Sequence, residues 1–146
     1  MTSRPDSLRE LEREVGVLVR RIRRVIGERA RLVHEELQPA SYLMLAWLAD
    51  EGPVRASSMV ENFHIDKGAV SRQLQHLDDL GLVERTPDPA DGRAMLIVAS
   101  EDARRRLAEV QAHRRKWFDE RLGGWSTDEL EAFAVSLEKY NLSLND

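Results

Sequence analysis

Between positions 67 and 76 the chain carries Lys67, Gly68, Ser71, Arg72, Gln73, Gln75 and His76. Apart from the glycine, these are side chains that donate to phosphate oxygens or reach the edges of bases. An arginine fork fits guanine O6 and N7 in a bidentate way, and a major groove admits one helix. Arg72 is the residue best suited to that contact. Gly68, Ser71, Arg72, Gln75, His76 and Asp79 fall on one side of a helix at 100° per residue, whereas Gln73 leans toward the other side. On an isolated helix the same residues describe a wet surface, so the neighbouring elements decide between the two readings.

The element that must carry these residues is well marked. Asp66 suits an N-cap, because its carboxylate accepts from an otherwise orphan backbone N–H. Ile65 and Val70 are spaced as a hydrophobic staple. Val70, Leu74, Leu77 and Gly81 form the inward stripe, Leu82 follows it, and Gly81 supplies a left-handed stop. Upstream, ASSMVENF (56–63) reads as a short helix with Met59, Val60 and Phe63 on its apolar side. Only His64 and Ile65 separate it from Asp66, which is the spacing of a helix-turn-helix. Histidine is among the few non-glycine types enriched at positive φ. Ser57 and Ser58, early in that short helix, are placed to hold phosphates through hydroxyl and backbone N–H groups.

Downstream, LVERT and RAMLIVAS flank PDPADG, which is the chemistry of a hairpin. Arg93 at its tip or base has the reach of a minor-groove contact. Asp91 either pairs with Arg93 in a weak surface salt bridge that shapes the turn, or orients the arginine, or does both. Val54 begins a short extended piece that would add a third strand to the hairpin.

These segments resemble the MarR (multiple antibiotic resistance regulator) family. The resemblance is carried by IDKGAVSRQLQHLDDLGLVER, by the Asp-x-Arg of DPADGR, and by the strand leading into ASEDARRRL. Two departures, Ala99-Ser100 where the family often has Leu-Thr and Ala103 where it often has Gly, touch the junction with the next helix. The resemblance implies a winged helix-turn-helix regulator that works as a homodimer on double-stranded DNA. It also implies a small aromatic or phenolic effector. Tyr42, Trp47, His34 and arginines of the first helix are placed to line such a site, but the aromatics read equally as core, and no effector residues are assigned.

Composition sets the outer bounds. A chain of 146 residues with 42% hydrophobic and 33% charged content is one domain's worth of soluble, helix-rich protein. Cysteine is absent, which rules out disulfides and thiol redox sensing by the chain itself, including that of the family's peroxide-sensing branch. No apolar run is long enough to span a bilayer, and the first residues lack the apolar core of a signal peptide, so a cytoplasmic protein is expected. The net charge of −4 does not advertise a nucleic-acid binder. From Pro53 to Ser100 there are five basic and seven acidic residues, which argues against a strong nonspecific grip, leaves specific binding open, and predicts modest, salt-sensitive affinity. The same acidity motivates the alternative, a winged-helix protein-interaction module that does not bind DNA.

The flanks are helical. Residues 7–36 read as one long helix with Leu8, Leu11, Val15, Leu18, Ile22 and Val25 in its stripe. Its arginines form a solvated face or touch a nucleic-acid backbone. Pro39 opens PASYLMLAWLAD, the most buried-looking helix. Ser100 suits the N-cap of a helix from Glu101 to about Leu122, stopped by Gly123 and Gly124. Ser126 with Glu129 forms a capping box for the last helix, whose stripe is Leu130, Phe133, Ala134, Leu137, Tyr140 and Leu144. Stripes this long require partners.

No phosphate-binding glycine loop, nucleophile elbow or histidine-centred constellation is present. His34 with Glu35 and Glu36, and Glu109 with His113, read as surface groups, and no metal, cofactor or enzymatic activity is expected. The expected fold is mainly α with a small β wing. A winged helix-turn-helix lobe at 37–100 lies between helical dimerisation arms at 1–36 and 101–146. The residues expected on DNA are Ser57, Ser58, Lys67, Gly68, Ser71, Arg72, Gln73, Gln75, His76 and Arg93, with Asp91 as wing support.

Overall fold

The computed structural model describes residues 1–145. It contains six helices and three short strands: α1 (Arg4–Val33), α2 (Pro39–Glu51), β1 (Val54–Arg55), α3 (Ala56–Phe63), α4 (Lys67–Asp79), β2 (Val83–Asp88), β3 (Asp91–Ala99), α5 (Glu101–Arg121) and α6 (Thr127–Ser143). The chain forms two compact units, Met1–Val110 and a second that begins at Gln111.

In the first unit the strands form one antiparallel sheet in the order β1-β3-β2. Val54 faces Ile97 and Arg55 faces Leu96, so the extended piece after α2 is the third strand. The core is closed by Tyr42, Met44, Leu45 and Leu48 of α2, Met59 of α3, Val70, Leu74 and Leu77 of α4, and Leu82, Val83 and Ile97 around the sheet. Each such leucine or valine contributes roughly 1.5–3 kcal/mol by leaving water. Ala30 and Val33 at the end of α1 and Ala103 and Val110 of α5 belong to the same cluster.

Helix α1 starts and ends three residues before the expected 7–36. The start is set by Ser3: its Oγ accepts from the Asp6 N–H at 3.3 Å, and the Asp6 carboxylate accepts from the Ser3 N–H at 3.3 Å. At the other end His34 is extended. The Leu37 N–H reaches back to the His34 carbonyl at 3.0 Å, which turns Leu37 into the core. Arg106 Nη1 donates to the Val33 carbonyl at 2.9 Å. That bond meets a carbonyl the helix leaves unpaired, at the end where a cation is favoured. Much of the remaining α1 stripe stays exposed: Leu8, Leu11, Leu18 and Ile22 each keep about two-fifths of their surface in solvent.

Helix α5 begins as expected, with the Ser100 Oγ accepting from the Ala103 N–H at 3.1 Å. In the second unit, Ser126 caps α6 by accepting from the Glu129 N–H at 3.1 Å. Trp125 packs edge-on against Phe133, with centroids 5.9 Å apart. No residue of α6 is buried. Among the described residues no helix is long and apolar enough to cross a membrane.

Candidate nucleic-acid interface

Helix α3 ends at His64, whose φ of 52° and ψ of 38° place it in the left-handed region. Among the described residues it is the only non-glycine residue at positive φ, and this conformation is what turns the chain from α3 into α4. Asp66 is extended and accepts from the Ala69 N–H at 2.7 Å. Helix α4 closes in a Schellman motif: the Leu82 N–H bonds the Leu77 carbonyl and the Gly81 N–H the Asp78 carbonyl, both at 3.0 Å, with Gly81 at φ 71°.

The inward stripe of Val70, Leu74 and Leu77 fixes the rotation of α4 about its axis. Lys67, Gly68, Ser71, Arg72 and Gln75 are then exposed on the outer side, as are Ser57 and Ser58 in the first turn of α3. A Cβ at position 68 would lie 3.1 Å from Asp66 Oδ1 and 3.3 Å from Arg72 Nη1. Glycine there lets the Arg72 guanidinium lie back over the start of the helix. Gln75 Nε2 donates to Asp79 Oδ1 at 2.8 Å, leaving its carbonyl oxygen outward as an acceptor. Among the described residues none forms a salt bridge with Lys67, Arg72 or Arg93.

Two members of the expected set leave this outer row. Gln73 is half-buried and its carboxamide oxygen accepts from the Ser41 hydroxyl of α2. Its position on the α2 side of the helix gives it a packing role. His76 is also half-buried, and its Nε2 is enclosed with no hydrogen-bond partner. Helical angle alone put His76 with the outer residues; the neighbouring packing covers its ring nitrogen.

The hairpin is longer than the sequence suggested. β2 continues through Pro87 and Asp88, a tolerable place for proline because β2 is an edge strand. Pairing runs from Val83 opposite Ala99 to Pro87 opposite Met95, then jumps to Asp88 opposite Asp91. Gly92, Arg93 and Ala94 are thus left without opposite residues and bulge from β3 beside a Pro89–Ala90 turn. Bulges of this kind re-aim side chains. Asp91 Oδ1 accepts from the Arg93 backbone N–H at 3.0 Å. No salt bridge joins the Asp91 carboxylate to the Arg93 guanidinium; the contact between the two residues runs through the Arg93 backbone.

The groups that hold this tip were not legible in the residue pattern. Arg55 Nε and Nη2 donate to Asp88 Oδ2 at 2.8 and 2.5 Å, and the Ala90 N–H donates to Asp88 Oδ1 at 2.9 Å. The Ala90 N–H, and next to it the Arg55 guanidinium, hold the Asp88 carboxyl below the usual carboxylate range. Thirty-three positions separate the partners, and PDPADG offers two aspartates with nothing to distinguish them. Tyr42 is buried and Trp47 packs edge-on to Phe63 at 5.6 Å, so these aromatics fill core.

The MarR family model matches residues 36–94. An uncharacterized HTH-type transcriptional regulator of Bacillus subtilis, YxaD, is 34% identical over 75% of this chain and 77% of its own length. The fold is shared with solved structures. A MarR family transcription regulator, SP03579, aligns with a TM-score of 0.80 at 19% identity, over 96% of this chain and 93% of its own. A Listeria monocytogenes protein solved with a 26mer DNA aligns with a TM-score of 0.73 at 16% identity, over 90% of this chain and 87% of its own.

Proposed function

The chain belongs to the MarR family of transcriptional regulators, and from that premise we propose that it acts as a homodimeric repressor on a pseudo-palindromic operator. One observation carries the reading: a row of uncommitted donors, Lys67, Ser71 and Arg72, stands on a helix whose buried stripe fixes which way the row faces. Helix α4 enters the major groove, with Arg72 on a guanine and Lys67 on phosphate. Gly68 lets the backbone approach, and Gln75 offers its acceptor oxygen. Ser57 and Ser58 bind phosphate at the start of α3. Arg93, in its bulge, enters the minor groove with Asp91 fixing the backbone that bears it. Gln73 and His76 support the helix from behind.

The solved Listeria monocytogenes relative with its 26mer DNA supports this use of the fold. The exposed apolar residues of α1 (Leu8, Leu11, Leu18, Ile22) and of α6 (Leu130, Phe133) support the homodimer. Two-fold symmetry sets the half-sites about 10 base pairs apart, or a multiple of that. Release by a small aromatic or phenolic effector belongs to the same reading and rests on the family alone.

Fluorescence anisotropy tests the proposal, using duplexes from upstream of the protein's own gene and from bound genomic fragments, across a salt series. Binding well above that of scrambled duplex, with a steep salt dependence, is the expected result. Absence of preference at low salt for every selected fragment overturns it and leaves the protein-interaction module.

A further inference from the structure

Arg55 and Asp88 join two elements that the proposed function uses separately. Arg55 is the N-cap residue of α3, two positions ahead of Ser57. Asp88 is the last residue of β2 before the Pro89–Ala90 turn. Arg55 pairs with Leu96 on β3, and Thr86 of β2 pairs with the same Leu96. Directly opposed residues share a face, and residues two apart on a strand share it too. Arg55, Leu96, Thr86 and Asp88 therefore lie on one face, and the guanidinium crosses the central strand to reach the carboxylate.

The carboxylate is used on both sides. Oδ2 takes two donors from Arg55, and Oδ1 takes the Ala90 N–H inside the turn. The Asp88 side chain is 11% exposed and that of Arg55 44%, so the pair is sheltered more on the wing side than most surface pairs. Immediately beyond Asp88, the pairing slips and Gly92, Arg93 and Ala94 bulge out. With three unpaired residues, the tip has few ladder bonds of its own to fix it.

We infer that Arg55 and Asp88 are positioning residues that lock the wing to the start of α3 and so set where Arg93 is presented. Neither residue has to touch DNA for this. The inference rests on the DNA-binding reading, and it makes a prediction opposite in sign to simple electrostatics. Asp88 is an anionic group close to the proposed DNA surface. Its removal, judged by charge alone, should tighten binding to a polyanion. If it holds the wing, its removal weakens binding.

The experiment is a double-substitution cycle read by anisotropy on the preferred duplex, using full-length protein whose fold is checked by thermal melting. Asp88→Asn is expected to weaken binding roughly threefold to tenfold in the wild-type background and to have little further effect once Arg93→Ala is present. In an Arg72→Ala background the Asp88→Asn loss should persist in full. Arg55→Gln should behave as Asp88→Asn does, and Arg55→Lys, which keeps charge but loses the fork, should recover part of the affinity. Equal losses with and without Arg93, or tighter binding of Asp88→Asn, overturn the inference while leaving DNA binding intact. Should wild type bind no duplex, amide hydrogen exchange decides the matter without DNA. Faster exchange at residues 90–94 in both Asp88→Asn and Arg55→Gln upholds the lock, and unchanged exchange overturns it.

Discussion

Helices α4 and α6 put their apolar residues to opposite use. In α4, Val70, Leu74 and Leu77 are buried. In α6, a longer and more apolar helix, none is, and Phe133 and Val135 keep 52% and 60% of their surface exposed. The difference lies in what surrounds each helix. Helix α4 meets α2, α3 and β2 within its own compact unit. Helix α6 belongs to the second unit, and none of its residues is buried. An amphipathic stripe is thus only half a statement: in one place it reports a finished core, in the other an apolar face left in solvent, which the proposed homodimer would cover. Leu77→Ala should cost about 2–5 kcal/mol in urea denaturation, because a cavity opens at a site with no exposure. Phe133→Ala should cost monomeric protein only about 0.5 kcal/mol or less. A Leu77 loss as small as that at Phe133 would break the contrast.

The contrast sharpens if α6 is tested as an interface. Leu130→Asp with Phe133→Asp should weaken self-association by about 2 kcal/mol or more and should leave the far-UV spectrum of the winged-helix region largely intact. Sedimentation over a concentration series reads the first effect. An unchanged sedimentation coefficient across that series would mean that α6 is no part of the dimer. Wild-type thermal stability should also rise with concentration, as it does wherever association and folding are linked.

A smaller effect distinguishes the outer face of α4 from its inner one. Arg72→Ala should leave stability nearly unchanged, cost roughly 1–3 kcal/mol of binding, and relax preference at one base position. Lys67→Ala should weaken all duplexes about equally and lower the salt slope by about 1. Equal loss of preference in both variants would mean that neither reads a base.

What could be read in advance follows the range of the interactions involved. The helix-turn-helix was legible because its determinants are local. Asp66 and Ser126 cap by bonding N–H groups three residues on, His64 tolerates positive φ, and Gly81 closes α4. Even the third strand at Val54 could be anticipated from its composition. What stayed hidden involves residues far apart in the chain. Gln73 leans inward by helical angle, but the Ser41 hydroxyl that meets it there lies thirty-two positions away. Asp88 is singled out from Asp91 only by Arg55. Helix α1 ends early because Leu37 is drawn into the core and Arg106 meets the Val33 carbonyl. His76 illustrates the limit of helical angle, which places a side chain on a face without saying what covers it.

The smallest effect compares carboxylates rather than hydrophobic faces. Asp88 in the wing and Asp6 at the start of α1 both titrate below the ordinary carboxylate range. For Asp88 the first cause is the Ala90 N–H, followed by Arg55; for Asp6 it is the Ser3 hydroxyl, followed by the Ser3 N–H and Arg9. A carboxyl depressed in the folded state stabilises it at pH values above the unfolded carboxyl pKa. That contribution is lost as pH falls through the depressed value. Stability should therefore decline as pH drops below about 4, with both groups contributing. Local readouts separate them. In the wing, amide exchange at residues 90–94 should rise over that window in wild type. Asp88→Asn should show raised exchange already at neutral pH and little further change on acidification, because it has no proton left to gain. At Asp6 only the first turn of an exposed, capped helix end is at stake. An acid response of the wing that survives Asp88→Asn unchanged would move the cause from this carboxylate to the global loss of folded protein.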